Sequence, residues 1–300
     1  MSDTNLYAPV IQLRPKSAIK YALYIGDKRK KTNDLLNKKK NISEHKKLAY
    51  KNEFSESARK RLTKKINLLV LGSKKVRIFN NVTNKYVYHQ LSFITLTVSS
   101  LDNKTLDFCY TNLLKPFLRI MRNKHNLKTY IWKAEVQQRG QIHYHITTPL
   151  FIHYQIIKDV WNNLQRKLGL LDEFEKINGH SNPNSTDIHE VKHIKDLASY
   201  LVKEFCKSIQ NNFTDNGKKW DSSNNLNGLN YFETFENTEN IIIENNLVGK
   251  GMLYVDRHER YEIFDFKNTA PTELLTLNQL REYKDYLKNL KNAVSLVRKT

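Results

Sequence analysis

The sequence predicts an α+β fold, built on an antiparallel sheet of about five strands flanked by helices. Strand-like segments rich in β-branched and aromatic residues, such as residues 91–98, alternate with segments whose apolar residues recur every three or four positions. Residues 128–137 and 141–150 both have strand character and are separated only by a short turn, which pairs them antiparallel. Such a series folds into a sheet with helices layered on it.

The remaining elements follow in chain order. Residues 106–122, 154–168 and 194–208 have helical periodicity, and residues 186–191 form a further predicted strand. Pro116 lies inside the first helix and is expected to kink it or to begin its regular part, because proline has no N–H to donate. The predicted order is therefore strand, helix, hairpin, helix, strand and helix.

The chain is strongly basic. Lys and Arg number 50 and Asp and Glu 30, which gives a net charge of +20. Residues 28–65 alone hold a net +11, from 15 basic and 4 acidic residues. An excess of this size indicates a polyanionic partner, first of all nucleic acid. We therefore expect residues 1–75 to form a basic helical N-terminal extension that grips DNA phosphates; a merely solvated charged face is the alternative. The expected DNA-binding side chains are Lys60, Arg61, Lys64, Lys65 and, further along the chain, Arg139.

Apolar patterning and cysteine content bear on the compartment. No apolar run approaches the length that spans a membrane, and the first 14 residues lack the pattern of a signal peptide. The two cysteines, Cys109 and Cys206, are too few for a disulfide framework and fit a reducing environment. These features predict a cytoplasmic protein without a membrane partner.

The predicted hairpin carries a candidate metal site. His143 and His145 are two positions apart on a strand, so their side chains point to the same face, about 7 Å apart along the chain. A three-residue loop ending at Gly140 would place Glu135 opposite His143 and add a carboxylate to that face. A two-residue turn would instead place Val136 there. The glycine favours the first register. Two imidazoles and a carboxylate suit a divalent ion such as Mg²⁺ or Mn²⁺, whereas two hydrogen-bonded structural histidines are the alternative for this motif taken alone.

The third predicted helix carries a second candidate. Tyr200 and Lys203 are three positions apart and therefore share a helix face. A tyrosine beside a cation is a candidate nucleophile, because a positive charge favours loss of the phenolic proton.

These motifs, taken together, resemble those of a known family. Residues 93–97 (Phe-Ile-Thr-Leu-Thr), then His143-Tyr144-His145, then Tyr200-x-x-Lys203 occur in the order of the three motifs of the HUH endonucleases. The sequence is most similar to the rolling-circle replication initiators (Rep proteins) of single-stranded DNA phages and plasmids. Residues 184–189, before the tyrosine helix, are similar to one phage and plasmid branch. The resemblance covers roughly residues 59–207 and implies an HUH-type sheet.

The resemblance implies a site-specific single-stranded DNA endonuclease and ligase, which nicks and rejoins an origin through a covalent 5′-phosphotyrosine. It implies that His143 and His145, with Glu135 as a third ligand, hold Mg²⁺ or Mn²⁺, and that Tyr200 is the nucleophile with Lys203 beside it. Related initiators often carry a second tyrosine four residues later, where this chain has Glu204. A single-tyrosine enzyme is therefore expected.

The resemblance also implies partners. These are single-stranded DNA, origin duplex DNA, and the helicase and DNA polymerase of a bacterial host, in whose cytoplasm the protein would act. Residues 76–210 would form the HUH endonuclease domain, and residues 211–300 a C-terminal region of unknown role that has no room for a helicase. A final helix near residues 272–298 repeats apolar residues at spacings of three and four, and could either form a homodimer seam or fold back onto its own domain.

Two other functions stay open. A conjugative relaxase or a single-strand transposase uses the same chemistry, although relaxases usually place the tyrosine before the histidines. A non-catalytic origin DNA-binding protein, with structural histidines, would bind without metal and without covalent adducts.

Overall fold

The computed structural model describes residues 7–25, 56–80, 84–99, 105–137, 140–190, 201–203 and 218–295. Its strands are β1 (Tyr7–Leu13), β2 (Ser17–Tyr24), β3 (Val76–Asn80), β4 (Lys85–His89), β5 (Ser92–Thr97), β6 (Ile131–Val136), β7 (Ile142–Thr148), β8 (Thr186–Glu190), β9 (Trp220–Ser222), β10 (Phe232–Phe235), β11 (Leu253–Arg257) and β12 (Tyr261–Phe266). Its α-helices are α1 (Glu56–Gly72), α2 (Leu106–Cys109), α3 (Lys115–His125), α4 (Tyr154–Lys167), α5 (Asp172–Asn178), α6 (Thr238–Gly249) and α7 (Leu277–Ser295).

The described residues divide into two units. One comprises the described parts of Met1–Lys51 with Asn230–Asn289, and the other those of Asn52–Leu229 with Leu290–Thr300. Each contains a five-stranded antiparallel sheet with helices packed on it, so the predicted α+β class is confirmed.

The sheet of the second unit has the strand order β8-β5-β7-β6-β9. One of its faces is apolar and fully buried, with Ile94, Leu96, Trp132, Tyr144 and Ile146 in one hydrophobic cluster. Side chains of α2, α3, α4 and the π-helical turn between α2 and α3 complete that cluster. Because side chains alternate along a strand, the polar residues between these apolar ones lie on the opposite face. The histidines are among them.

The first long helix of this unit is interrupted as its sequence requires. A π-helical turn, Tyr110–Leu114, separates α2 from α3, and Pro116 stands in the first turn of α3. Proline cannot donate to the carbonyl four residues earlier, that of Asn112, so the regular hydrogen-bond ladder restarts beyond it. Of the two outcomes expected for Pro116, the structure shows the second: it begins the regular part.

The sheet of the first unit has the order β10-β1-β2-β12-β11 and was not anticipated. The expected N-terminal extension is helical from Glu56, in α1, but residues 7–24 form two strands. These strands pair with β10 and β12 near the other end of the chain, for example Val10 with Phe235 and Lys20 with Glu262. The boundaries drawn from the sequence, which assign residues 1–75 and 211–300 to separate regions, did not include this pairing. Partners more than 200 residues apart leave no local pattern to read.

The last predicted helix is present as α7. Its residues up to Asn289 belong to the first unit, where Leu280 and Tyr283 pack on the core. From Leu290 onward they belong to the second, where the Thr129 hydroxyl donates to the Val294 carbonyl at 2.7 Å. Several of the repeated apolar residues are thus packed within the chain, as in the fold-back alternative, and the homodimer stays a prediction. Within the described ranges, no helix is long and apolar enough to cross a membrane.

Candidate active site

The hairpin of β6 and β7 has the register that Gly140 favours. Glu135 lies directly opposite His143. The Gln137 N–H donates to the Gln141 carbonyl at 2.9 Å, and the Gly140 N–H donates to the Gln137 carbonyl at 2.9 Å. Gly140 has a φ of 83°, in the left-handed region that favours glycine. The three-residue loop is confirmed, and Glu135 lies on the same face as both histidines.

Two threonines of the neighbouring strand support the histidines. On β5, Thr95 pairs with His145 and Thr97 with His143. The Thr95 hydroxyl oxygen lies 3.1 Å from Nδ1 of His145, and the Thr97 hydroxyl oxygen 3.5 Å from Nε2 of His143. On the hairpin side, Nε2 of Gln137 lies 3.2 Å from Nδ1 of His143. These contacts fix the orientation of both rings.

A charged group lies at the floor of this face. Glu135 Oε2 is 3.0 Å from His145 Nε2 and 3.6 Å from Nζ of Lys133. Lys133 pairs directly with His145 across the hairpin and is 3% exposed. A buried lysine needs a nearby anion. Glu135 therefore serves both a histidine and a buried cation.

Burial affects the protonation of His143. Desolvation lowers the pKa of His143, the neighbouring His145 lowers it further, and Glu135 acts in the opposite direction. The net shift is downward, which favours the neutral imidazole at neutral pH. Neutral imidazole is the form that binds a metal.

Aromatic packing closes the face toward β8. The ring of Phe93 stacks on His145 with centroids 5.4 Å apart, and its other neighbour is the ring of His189 at 5.1 Å. The rings of His143 and His145 are 6.2 Å apart. Phe93 thus limits how far the His145 ring can turn, which keeps its Nε2 directed at Glu135.

The residues present provide ligand types that suit a divalent cation. In the part of the chain that the structure describes, no three His, Cys, Asp or Glu side chains already converge as a metal-binding group. Glu135, His143 and His145 nevertheless share one face, and His145 Nε2 and Glu135 Oε2 already approach one point. Two nitrogens and a carboxylate, backed by hydroxyl and amide partners, form a donor set that fits Mg²⁺ or Mn²⁺.

The predicted nucleophile cannot be placed. Tyr200 and Arg139 lie outside the described residues, and their roles stay predictions from the sequence. Lys203 ends a short helical stretch, residues 201–203, in which Leu201 is fully buried and Lys203 is exposed.

Tyr144, between the two histidines, points the other way. It is fully buried in the core, and burial raises its pKa. Its hydroxyl has no hydrogen-bond partner among the described residues. It is therefore no candidate for a nucleophile that must reach DNA.

The predicted DNA-binding side chains of α1 differ in their surroundings. Lys60 and Arg61 are exposed, with Lys60 at 2.6 Å from Glu56 one turn earlier, and Lys64 is half-buried. Lys65 is turned toward the sheet, where its Nζ donates to the Ser222 hydroxyl at 2.5 Å and to the Asn227 side-chain oxygen at 2.6 Å. Burial lowers the pKa of Lys65, and the Asp221 carboxylate partly offsets this. Lys65 thus holds the edge strand β9, whatever else it does.

Three residues of the face were missed from the sequence. Lys133 could have been found by extending the register that gave Glu135, because the next same-face pair along the hairpin is Lys133 with His145. Thr95 and Thr97 required the pairing of β5 with β7, two strands 45 or more residues apart. A strand of alternating Thr and apolar residues indicates one polar face but not the partner that this face meets.

The comparisons with known proteins concern this same region. Residues 91–209 match the family model of the replication-associated protein ORF2. No curated protein and no solved structure matched the chain. The matched stretch, less than half of the chain, contains strands β5 to β8 and so the whole polar face described above, together with Tyr200 and Lys203. The match supports a replication-associated protein.

Proposed function

We propose that the protein is a rolling-circle replication initiator that nicks and rejoins single-stranded DNA at an origin through a covalent 5′-phosphotyrosine. The observation that carries the proposal is the common face of Glu135, His143 and His145 on adjacent strands, inside the region that matches a replication-associated family. The strongly basic composition is in keeping with a DNA substrate.

The polar face would act as the electrophilic half of the site. Glu135, His143 and His145 would hold Mg²⁺ or Mn²⁺, which supplies a positive charge that polarises the non-bridging oxygens of the scissile phosphate. Thr95, Thr97 and Gln137 hold the imidazole rings in place through the contacts given above.

Lys133 has a supporting role in this account. Its buried charge keeps Glu135 ionised, because a cation 3.6 Å away favours the carboxylate. An ionised carboxylate is the form that binds a metal. Lys133 is therefore a positioning residue rather than one that contacts DNA.

Tyr200 would supply the nucleophile. Its phenolic oxygen forms a bond to the scissile phosphorus while the bond from phosphorus to the 3′-oxygen breaks, and the proton that the phenol loses is balanced by one that the 3′-oxygen gains. Lys203, three positions along the same helix, favours loss of the phenolic proton or orients the phosphate. The reverse attack by a 3′-hydroxyl rejoins the strand, so no external energy source is needed. Strand separation would come from a host helicase and extension from a DNA polymerase.

One observation favours a non-catalytic origin-binding protein instead. His145 already has hydrogen-bonding neighbours at both nitrogens, Thr95 and Glu135, as a structural histidine would. A relaxase or single-strand transposase shares the proposed chemistry and differs in the DNA on which it acts.

A strand-transfer assay distinguishes these functions. The protein is incubated with Mn²⁺ and labelled single-stranded oligonucleotides that tile an origin, with and without a chelator. We expect nicked product and a slow-migrating covalent adduct, both lost with the chelator and with His143→Ala. Origin binding without either product, at any Mn²⁺ concentration, would identify a non-catalytic binding protein.

A further inference from the structure

The hairpin of β3 and β4 presents an aromatic and basic face outward. Arg77 pairs with Tyr88 and Phe79 with Tyr86, and directly opposed residues project to one face. Three of these side chains are large, and they are exposed to 49% (Phe79), 58% (Tyr86) and 70% (Tyr88). Aromatic rings this exposed on adjacent positions form a patch rather than scattered surface residues, and such patches mark interaction sites.

The other face of the hairpin holds it against the rest of the second unit. Ile78 and Val87 are half-buried there, and His89 is almost fully buried, with its ring packed edge-on against Phe151 at 5.6 Å. The exposed face is therefore not a core face left open by the register. The hairpin is anchored on one side and displays its rings on the other.

The surroundings of the exposed rings are entirely basic. No acidic residue lies between Glu56 and Asp102, a stretch that contains nine Lys and Arg residues. Four of these belong to the hairpin or lead into it: Lys74, Lys75, Arg77 and Lys85. The Arg77 guanidinium carbon lies 3.9 Å from the ring centroid of Tyr86, and the Phe79 ring packs edge-on against the same tyrosine at 5.1 Å. These contacts hold the rings in a defined arrangement before any ligand binds.

We infer that this face is a binding platform for single-stranded DNA, separate from the nicking site. Unpaired bases stack on exposed aromatic rings regardless of sequence, and neighbouring lysines and arginines neutralise the phosphates. A duplex, whose bases are already stacked, would gain only the electrostatic part. The inference rests on the proposed function, because an enzyme that nicks a single strand must hold the flanking strand.

The position of the hairpin fits this role. β4 leads into β5 through two residues, Gln90 and Leu91, and β5 carries Thr95 and Thr97 beside the histidines. Tyr88 is nine residues before Thr97, so the two lie within about 30 Å of each other. A strand bound at the histidine face can therefore extend onto the hairpin without spanning to the other unit.

The test compares matched tyrosine substitutions. A labelled 30-nucleotide single strand of mixed sequence is titrated in the presence of a chelator, so that binding is measured without cleavage. Tyr86→Ser/Tyr88→Ser should weaken binding by about 10- to 100-fold, since stacking of each base on an aromatic ring contributes a factor of this order. Tyr86→Phe/Tyr88→Phe keeps the rings and should retain the affinity. Tyr254→Ser, which removes a tyrosine that is 57% exposed in the other unit, is the control. The loss should be much smaller with the corresponding duplex.

The outcomes separate this inference from the proposed function. If Tyr86→Ser/Tyr88→Ser binds the single strand as tightly as Tyr254→Ser does, the hairpin is no platform, even where the wild-type protein nicks normally. A wild-type protein that needs the two tyrosines for binding but never nicks would contradict the proposed function instead.

A second measurement covers a variant that fails to fold. Photo-cross-linking of wild-type protein to a single strand substituted with bromodeoxyuridine should recover peptides that contain residues 76–89. Cross-links confined to other peptides would overturn the inference.

Discussion

Glu135 and His145 are diagonal neighbours in the central hairpin, and Glu135 Oε2 lies 3.0 Å from Nε2 of His145 although the direct cross-strand partner of Glu135 is His143. With Nε2–H donating to the carboxylate, Nδ1 of His145 accepts from the Thr95 hydroxyl. A cation between Nε2 and the carboxylate would take the place of that proton, and Nδ1–H would then donate to Thr95. The same contacts thus suit both the apo form and a metal-bound form.

The first prediction concerns Glu135 as a metal ligand. Glu135→Gln keeps the shape of the side chain but removes its charge, so Mn²⁺ affinity should fall at least about tenfold in a calorimetric titration. Gln137→Ala is the control, since it removes a hydrogen-bond partner of His143 and no charged ligand. Unchanged Mn²⁺ affinity in Glu135→Gln, with a clear loss in Gln137→Ala, would make Gln137 the ligand.

Helix α1 allows a prediction about DNA affinity against stability. Arg61 is exposed, and Arg61→Gln should lower the slope of log affinity against log salt on duplex DNA by about one, which corresponds to one phosphate contact. Lys65→Gln instead loses hydrogen bonds to Ser222 and Asn227 and should reduce the stability of the second unit by about 1 kcal/mol. Salt-dependent binding and urea denaturation followed by tryptophan fluorescence measure the two effects. A full salt slope in Arg61→Gln would mean that this helix face is merely solvated.

The basic segment needs a different test from a simple truncation. Deleting residues 1–54 would remove β1 and β2, two of the five strands of the first unit, so loss of binding in that variant would report on folding as well as on charge. Substitutions that neutralise individual lysines and arginines avoid this difficulty.

A third prediction concerns a buried charge cluster in the first unit. Lys20 Nζ lies 3.0 Å from Glu236, 3.0 Å from Glu244 and 3.1 Å from Glu262, and the lysine side chain is 19% exposed. Lys20→Met leaves three carboxylates facing one another and should destabilise this sheet by about 2–4 kcal/mol. Lys267→Met, at an exposed position after β12, should change little.

The pH dependence of this difference follows from the two pKa shifts. Burial lowers the pKa of Lys20, but hydrogen bonds to Glu244, Glu236 and Glu262 outweigh it and raise the pKa above its ordinary 10.5. Burial raises the pKa of Glu262, but the hydrogen bonds from Lys20 and Arg257 lower it below its ordinary 4.5. The glutamate contribution is present above pH 4.5 and is lost as the pH falls through the folded pKa. The lysine contribution is present below pH 10.5 and is lost as the pH rises through its folded pKa.

The stability difference between wild type and Lys20→Met should therefore be constant from about pH 5 to pH 10 and shrink on either side. Hydrogen exchange in peptides of β2 and β12 measures it locally. Tryptophan fluorescence is the internal control, because Trp132, Trp161 and Trp220 all belong to the second unit. A difference that grows as the pH falls below 4 would contradict this assignment of the cluster.

The sequence was most informative where the interactions are local. The register of Glu135 against His143 depended on one glycine in a three-residue loop, and the helix restart at Pro116 depended on one missing N–H. Both were accessible because the physical constraint acts within a few residues. The pairing of Val10 with Phe235 was not accessible, since alternation shows that a segment is a strand but not which strand it joins. Lys65 was misleading for a related reason: helical periodicity assigns it to a polar face, yet Ser222 and Asn227 meet that face.

The central claim is that Tyr200 becomes covalently linked to DNA, and peptide mapping of the adduct tests it most directly. The protein is trapped on a single-stranded origin oligonucleotide with Mn²⁺, digested, and analysed by mass spectrometry. We predict that the nucleotide is attached to Tyr200, that Tyr200→Phe forms no adduct while still binding the oligonucleotide, and that Tyr144→Phe, which removes a buried hydroxyl on the opposite face of the sheet, still forms it. A full yield of adduct from Tyr200→Phe, or a nucleotide attached to any other residue in the wild-type protein, would contradict the account.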